Sequence, residues 1–182
     1  KAELGDKYHR QRNYKTKRFK LLFEKGVLFY TCLNIRLFFY LLFSKADIFL
    51  SNDLDTLPAN ALASFFRNKK LVYDSHELFT EVPELENKKF KKKIWGFLEK
   101  ISFKRIDKAY TVCESIADFY FKKYGIKMSV VRNLPTLKNI TNKFENRENI
   151  IIYQGALNKE RGINIMIKAM QHIEKAKLII AG

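Results

Sequence analysis

The chain has 182 residues and 21.6 kDa, with 35 Lys and Arg against 19 Asp and Glu, which gives a formal net charge of +16 and a pI near 9.8. Hydrophobic residues at 47% and charged residues at 30% are ordinary for a folded chain, and seven Gly with three Pro exclude low-complexity and collagen-like classes. Cys32 and Cys113 are too few for a disulfide framework and suit a reducing compartment.

The charge is uneven. Residues 1–25 and 86–108 each hold nine basic and three acidic residues. Lys outnumbers Arg by 26 to nine, and Arg is the residue that reads bases through bidentate hydrogen bonds. The two stretches therefore read as solvated helix faces or as patches that attract anionic lipid or phosphate, with nucleic acid the weaker alternative.

Residues 27–43 form a 17-residue apolar run. A membrane-spanning helix needs about 20 such residues, and a central Arg is costly there. With Asn34 and Arg36 at its middle, the run reads as a buried or interfacial helix. Residues 47–51 follow as a buried strand. Helical spacing then covers 56–66, capped by Asp55 or Thr56, with Pro58 in the first turn. A second strand at 71–73 ends in Asp74-Ser75-His76-Glu77, and a basic amphipathic helix spans 88–105. The third strand is 109–112. Its helix is 115–124, with Ser115 as the N-cap and Gly125 closing the end. A fourth strand lies at 129–131. Residues 133–148 are polar, contain Pro135 and lack periodicity, so they read as a linker or a long loop. A fifth strand (149–153), a helix (162–173) and a sixth strand (177–180) complete the chain.

Short apolar strands alternating with helices of about 10–15 residues predict parallel βαβ units. The expected fold is α/β, a Rossmann-like doubly wound sheet with both faces covered. Ligands of such sheets bind beyond the carboxyl ends of the strands. Those ends carry Asp53 and Asp55, then His76 and Glu77, then Cys113 and Glu114, then Arg132 and Asn133, then Gly155. Asp53 and Asp55 read as helix caps or as cleft residues. His76 reads as structural or as a substrate contact, and Glu114 as a surface residue. In the loop 154–162, Gly155 allows a close backbone approach, and the following helix offers free N–H groups to an anion. Lys159 and Arg161 add charge. That arrangement suits a diphosphate or an ordinary βα loop. His9, His76 and His172 are far apart and no CxxC occurs, so no metal site is expected. GxSxG and Walker A motifs are absent.

Five segments occur in order: NDLDTL (52–57), YDSHELFTEVPEL (73–85), TVCESIADFYFKKYG (111–125), VVRNLP (130–135) and YQGALNKERGI (153–163). Together they resemble the family-4 glycosyltransferases of the GT-B fold, in particular bacterial members of cell-surface polysaccharide pathways, over residues 48–182. The resemblance implies an acceptor-side Rossmann-like domain at 1–134 without its first unit, a linker at 135–148, and the start of a nucleotide-sugar donor domain at 149–182. It implies a piece truncated at both ends and inactive alone, from an enzyme that retains anomeric configuration and needs neither metal nor cofactor. His76 falls on the family's strand-end His beside the transferred sugar. Gly155, Lys159, Arg161 and Gly162 fall on the loop that holds the donor diphosphate, although Ala156 departs from a frequent Gly-Arg pair. Arg132 and Asn133 would lie near the crossing between domains, and Asp53, Asp55 and Glu77 on the acceptor side. The implied partners are a nucleotide sugar and a glycan or lipid-linked acceptor, without nucleic acid; the two Lys-rich stretches add the expectation of peripheral contact with an anionic membrane, and the expected location is cytoplasmic, extending to the inner face of the cell membrane. The competing expectation is a non-catalytic basic module that binds anionic membrane or nucleic acid.

Overall fold

The computed structural model describes residues 14–82, 85, 88–137, 148–158 and 161–182. The first half of the amino-terminal basic stretch, most of the expected linker, and Lys159 lie outside the described residues. The chain divides into two compact units, Lys1–Arg132 and Asn133–Gly182.

In the first unit α1 (Gly26–Leu42) leads into β1 (Ile48–Asn52), α2 (Asp53–Arg67) and β2 (Lys70–Ser75). A 3-10 turn (Phe79–Glu81), α3 (Lys89–Phe103), β3 (Lys108–Thr111), α4 (Glu114–Tyr124) and β4 (Ser129–Val130) follow. The four strands form one parallel sheet in the order β1-β2-β3-β4. The expected parallel α/β architecture is present and is compatible with a Rossmann-like fold.

Strand register decides which side chains share a face. Phe49 lies beside Leu71, Ser51 beside Tyr73, Tyr73 beside Ala109, and Ser75 beside Thr111. All of these are buried. Leu54, Leu57 and Ala61 of α2, Phe103 of α3 and Tyr120 of α4 close the same core over Phe49, Leu71, Tyr73 and Ala109. The expectation of two covered faces is corrected here. On the opposite face Ile48 is 62% and Leu50 53% exposed. Consecutive strands laid side by side through right-handed crossovers send each connecting helix to the same side.

No residue of α1 is fully buried, so of the two expectations for the apolar run, a buried or an interfacial helix, the buried one is corrected. Phe38 and Leu41 pack on the core, while Leu28, Ile35 and Phe39 stay exposed. Among the described residues no helix is long and apolar enough to cross a membrane.

Helix α2 begins at Asp53, three residues before the expected start. Its N-cap is Asn52, without a side-chain capping bond, so neither Asp55 nor Thr56 is the cap. Pro58 therefore lies beyond the first turn, where a proline removes one helical hydrogen bond and crowds the carbonyl four residues back. Asn34 of α1 repairs the ladder beside it. Its Nδ2 donates to the Asp55 carbonyl at 2.8 Å, and its Oδ1 accepts from the Ala59 N–H at 3.0 Å. Asp55 C=O and Ala59 N–H are a natural i, i+4 pair, and the Asn34 amide sits between them.

Helix α3 is fastened to α4 through a buried carboxylate. Glu99 is fully buried. It takes Lys123 Nζ at 2.8 Å, the Tyr124 hydroxyl at 2.5 Å and the Tyr120 hydroxyl at 3.3 Å. Helix α4 starts from Cys113, not Ser115, as its N-cap. It ends at Gly125, whose left-handed φ of 70° lets its N–H reach the Phe121 carbonyl.

The second unit pairs β5 (Ile150–Gln154) with β6 (Lys177–Ala181) in parallel through α5 (Ile163–Ala169) and a 3-10 turn (Met170–His172). Every described residue of this unit keeps some exposure. Two strands and one short helix do not enclose a core, for the same reason that isolated strand pairs are marginal in water.

Candidate functional site

The carboxyl edge of the four-stranded sheet is built by the turns that follow its strands. Residue pairing brings Asn52 level with Asp74, and Ser75 level with Thr111. The Thr111 hydroxyl donates to the Ser75 carbonyl at 2.7 Å, which joins β2 to β3 at the level of this edge.

His76 follows the last residue of β2. Its Nε2 lies 2.9 Å from Asp74 Oδ2, and its backbone N–H donates to Asp53 Oδ1 at 3.1 Å. Residues i and i+2 of an extended chain lie on one side, so Asp74 reaches the His76 ring from the strand itself. The Asp74 carboxylate is nearly buried while the ring is 46% exposed. The hydrogen bond to Asp74 raises the His76 pKa above its ordinary value; burial opposes this, and the charges of Asp74, Asp53 and Glu77 add to the rise. With Nε2 held by Asp74, Nδ1 is the remaining polar atom of the ring. It can accept from a hydroxyl when neutral and donate to an anion when protonated.

Asp53 joins β1 to β2 across this edge. Its backbone takes a left-handed φ of 57°, which Asp tolerates better than most side chains. It is not the helix cap; its carboxylate is spent on the His76 N–H. Asp55, in the first turn of α2, has its pKa raised by burial first and by Asp53 second. Glu77 is exposed, and its carbonyl accepts the Ser75 hydroxyl at 2.9 Å. The structure thus gathers Asp53, Asp74 and His76 into one hydrogen-bonded set.

Tyr110 of β3 stands beside the same carboxylate. Its pKa is raised by burial and then by Asp74. Sequence reasoning noted Asp74 only as a strand-end residue and assigned it no role. The alternation of Asp74 and His76 along a strand was the signal that ties them.

Further along the edge Arg132 Nη2 lies 2.9 and 2.8 Å from the two carboxylate oxygens of Glu114. Both side chains are exposed, and the pair bridges the turns after β3 and β4. Glu114, read from sequence as a surface residue, holds Arg132. Beside it the Cys113 thiol is lowered by the Ser115 hydroxyl and the Ile116 N–H. Asn133 belongs to the second unit and is exposed. Among the described residues no group of three His, Cys, Asp or Glu side chains is arranged to hold a metal ion.

In the second unit Gly155 follows β5, and its N–H donates to the Ala181 carbonyl at 3.0 Å. A Cβ there would meet the Tyr153 hydroxyl at 3.3 Å, and that hydroxyl is already committed to the Ala156 carbonyl. Gly162 takes a left-handed φ of 68° as the N-cap of α5. Arg161 is exposed, and its N–H donates to the Asn158 carbonyl. A cavity of ≈ 360 Å³ lined by Ile106, Lys108, Ile126 and Met128 lies at the opposite, amino ends of β3 and β4, away from His76. No protein-family model matches the chain, and no curated protein matches it in sequence.

Proposed function

We propose that this chain is part of a sugar transferase of the GT-B type, which moves a sugar from a nucleotide-diphosphate donor to a cell-envelope or polysaccharide acceptor. The observation that carries the reading is His76, held by Asp74 and Asp53 at the carboxyl edge of a parallel sheet, within motifs that resemble family-4 glycosyltransferases.

The chemistry fits these residue types. The bond from the anomeric carbon to the diphosphate breaks and a bond to the acceptor oxygen forms, with retention as the resemblance implies. The acceptor hydroxyl proton leaves with the diphosphate. The reaction needs cations and N–H groups for the developing negative charge, a role that suits Gly155, Lys159, Arg161 and Gly162. His76 hydrogen-bonds a hydroxyl of the transferred sugar. Asp53, Asp55, Glu77, Arg132 and Asn133 suit acceptor contacts.

A panel of nucleotide-diphosphate sugars with lipid-linked and oligosaccharide acceptors tests the reading in a chain carrying a full donor domain. Release of nucleoside diphosphate is expected, reduced at least about 100-fold by H76A and by R161A, as for loss of a donor that stabilises transition-state charge. Failure of every donor, or release indifferent to H76A, refutes it.

A further inference from the structure

Helix α3 carries two apolar sides. Its inner side is settled by contacts: Glu99, Ser102 and Phe103 are buried. The Trp95 ring meets Tyr30 and Phe79 edge-on, with centroids at 5.1 and 5.0 Å. Phe90, Ile94, Phe97 and Ile101 recur at i, i+4, i+7 and i+11, which places them in one row on the other side. All four are exposed, Phe90 by 76% and Phe97 by 63%. Lys89, Lys91, Lys93, Lys100 and Lys104 flank that row and are exposed as well. Among the described residues the one ion pair made by a lysine of α3 is Lys92 to Glu81.

From this we infer that α3 docks the protein on an anionic lipid surface, with Phe90, Ile94, Phe97 and Ile101 entering the acyl boundary and the flanking lysines at the headgroups. A row of large apolar side chains facing water is unfavourable unless something covers it. Two occupants are disfavoured by charge and residue type. A second copy of the same face would set lysines against lysines. A nucleic acid would satisfy the lysines but leave Ile94 and Ile101 against polar backbone, and the row has no Arg. An anionic bilayer satisfies both parts: the acyl region takes the apolar row, and long Lys stems carry their ammonium groups to the phosphates. The inference does not depend on sugar transfer and is read without turnover.

Cosedimentation of the 182-residue chain with phosphatidylcholine vesicles, with and without phosphatidylglycerol, tests it. Binding is expected only with the anionic lipid and weakens as salt rises. The double variant F90S/F97S and the triple variant K91Q/K93Q/K100Q each lower partitioning at least about tenfold. Far-UV circular dichroism is unchanged in both, and the exposed-site control V131S binds as the parent does. If F90S/F97S misfolds, F97S alone gives the same readout at smaller amplitude. Four results overturn the inference: no binding to anionic vesicles, equal binding to neutral vesicles, binding indifferent to the Phe substitutions, or a dimer or nucleic-acid complex that forms through this face while vesicles do not bind.

Discussion

Replacing Asn34 by Ala removes a side chain that holds two backbone groups of another helix. Asp55 C=O and Ala59 N–H each lose their partner at 2.8 and 3.0 Å. An unsatisfied backbone group costs about 1–3 kcal/mol when buried, and this seam is part-buried, so the lower half applies to each. The expected loss is about 2–4 kcal/mol, read by urea unfolding followed by circular dichroism. In a chain of this length that lowers the Tm by about 2–4 °C for each kcal/mol. The cause is tested by a cycle with Pro58→Ala. Alanine at position 58 relieves the crowding and lets Ala59 return to Asp55, so N34A costs at least about 1 kcal/mol less in that background. A coupling below about 0.5 kcal/mol would falsify the idea that Asn34 mends the proline break. The seam matters to the site because the same first turns of α2 carry Asp53 and Asp55.

His76 should titrate in NMR with a midpoint above the ordinary 6.5, and D74N should bring it down; a midpoint unmoved by D74N counts against the pairing. The sign for stability follows: a raised His pKa stabilises fully below the unfolded value and is lost as pH rises through the folded one, so D74N destabilises more at acidic than at alkaline pH. Glu99→Ala strands the Tyr120 and Tyr124 hydroxyls and Lys123, for an expected loss of about 3 kcal/mol, while E99Q, which keeps an acceptor, loses less in the same urea assay. Gly125→Ala costs about 1 kcal/mol because φ is left-handed, whereas Gly96→Ala, inside α3 with open space around its Cβ, gains about 0.5–1 kcal/mol; thermal melts that move both the same way contradict this.

Much of the site's location was legible. Short apolar strands alternating with helices allow few arrangements, and a parallel sheet puts residues such as Asp53 and His76 at its carboxyl edge whatever the packing details. Gly125 was legible for the same kind of reason, since a helix end that needs a left-handed residue favours Gly. The start of α2 was not. Apolar spacing pointed to residue 56, but Asp53 takes a left-handed turn and binds the His76 N–H, a partner 23 positions away.

Periodicity identified α3 as amphipathic but could not say which side faces inward. The usual rule buries the apolar row, yet here the interior accepts Glu99, because Lys123 and two tyrosine hydroxyls from α4 satisfy its charge. Phe90, Ile94, Phe97 and Ile101 were thereby left outside. Asn34 likewise read as a polar flaw in an apolar helix until α2 came beside it. The sequence by itself determined the order of elements, their parallel pairing and which residues stand at the carboxyl edge of the sheet, because these follow from local period and chain connectivity. Only the tertiary structure decided the partners of Asn34, Asp53 and Glu99, because a polar side chain is satisfied by groups that chain folding brings near, and no local pattern names them.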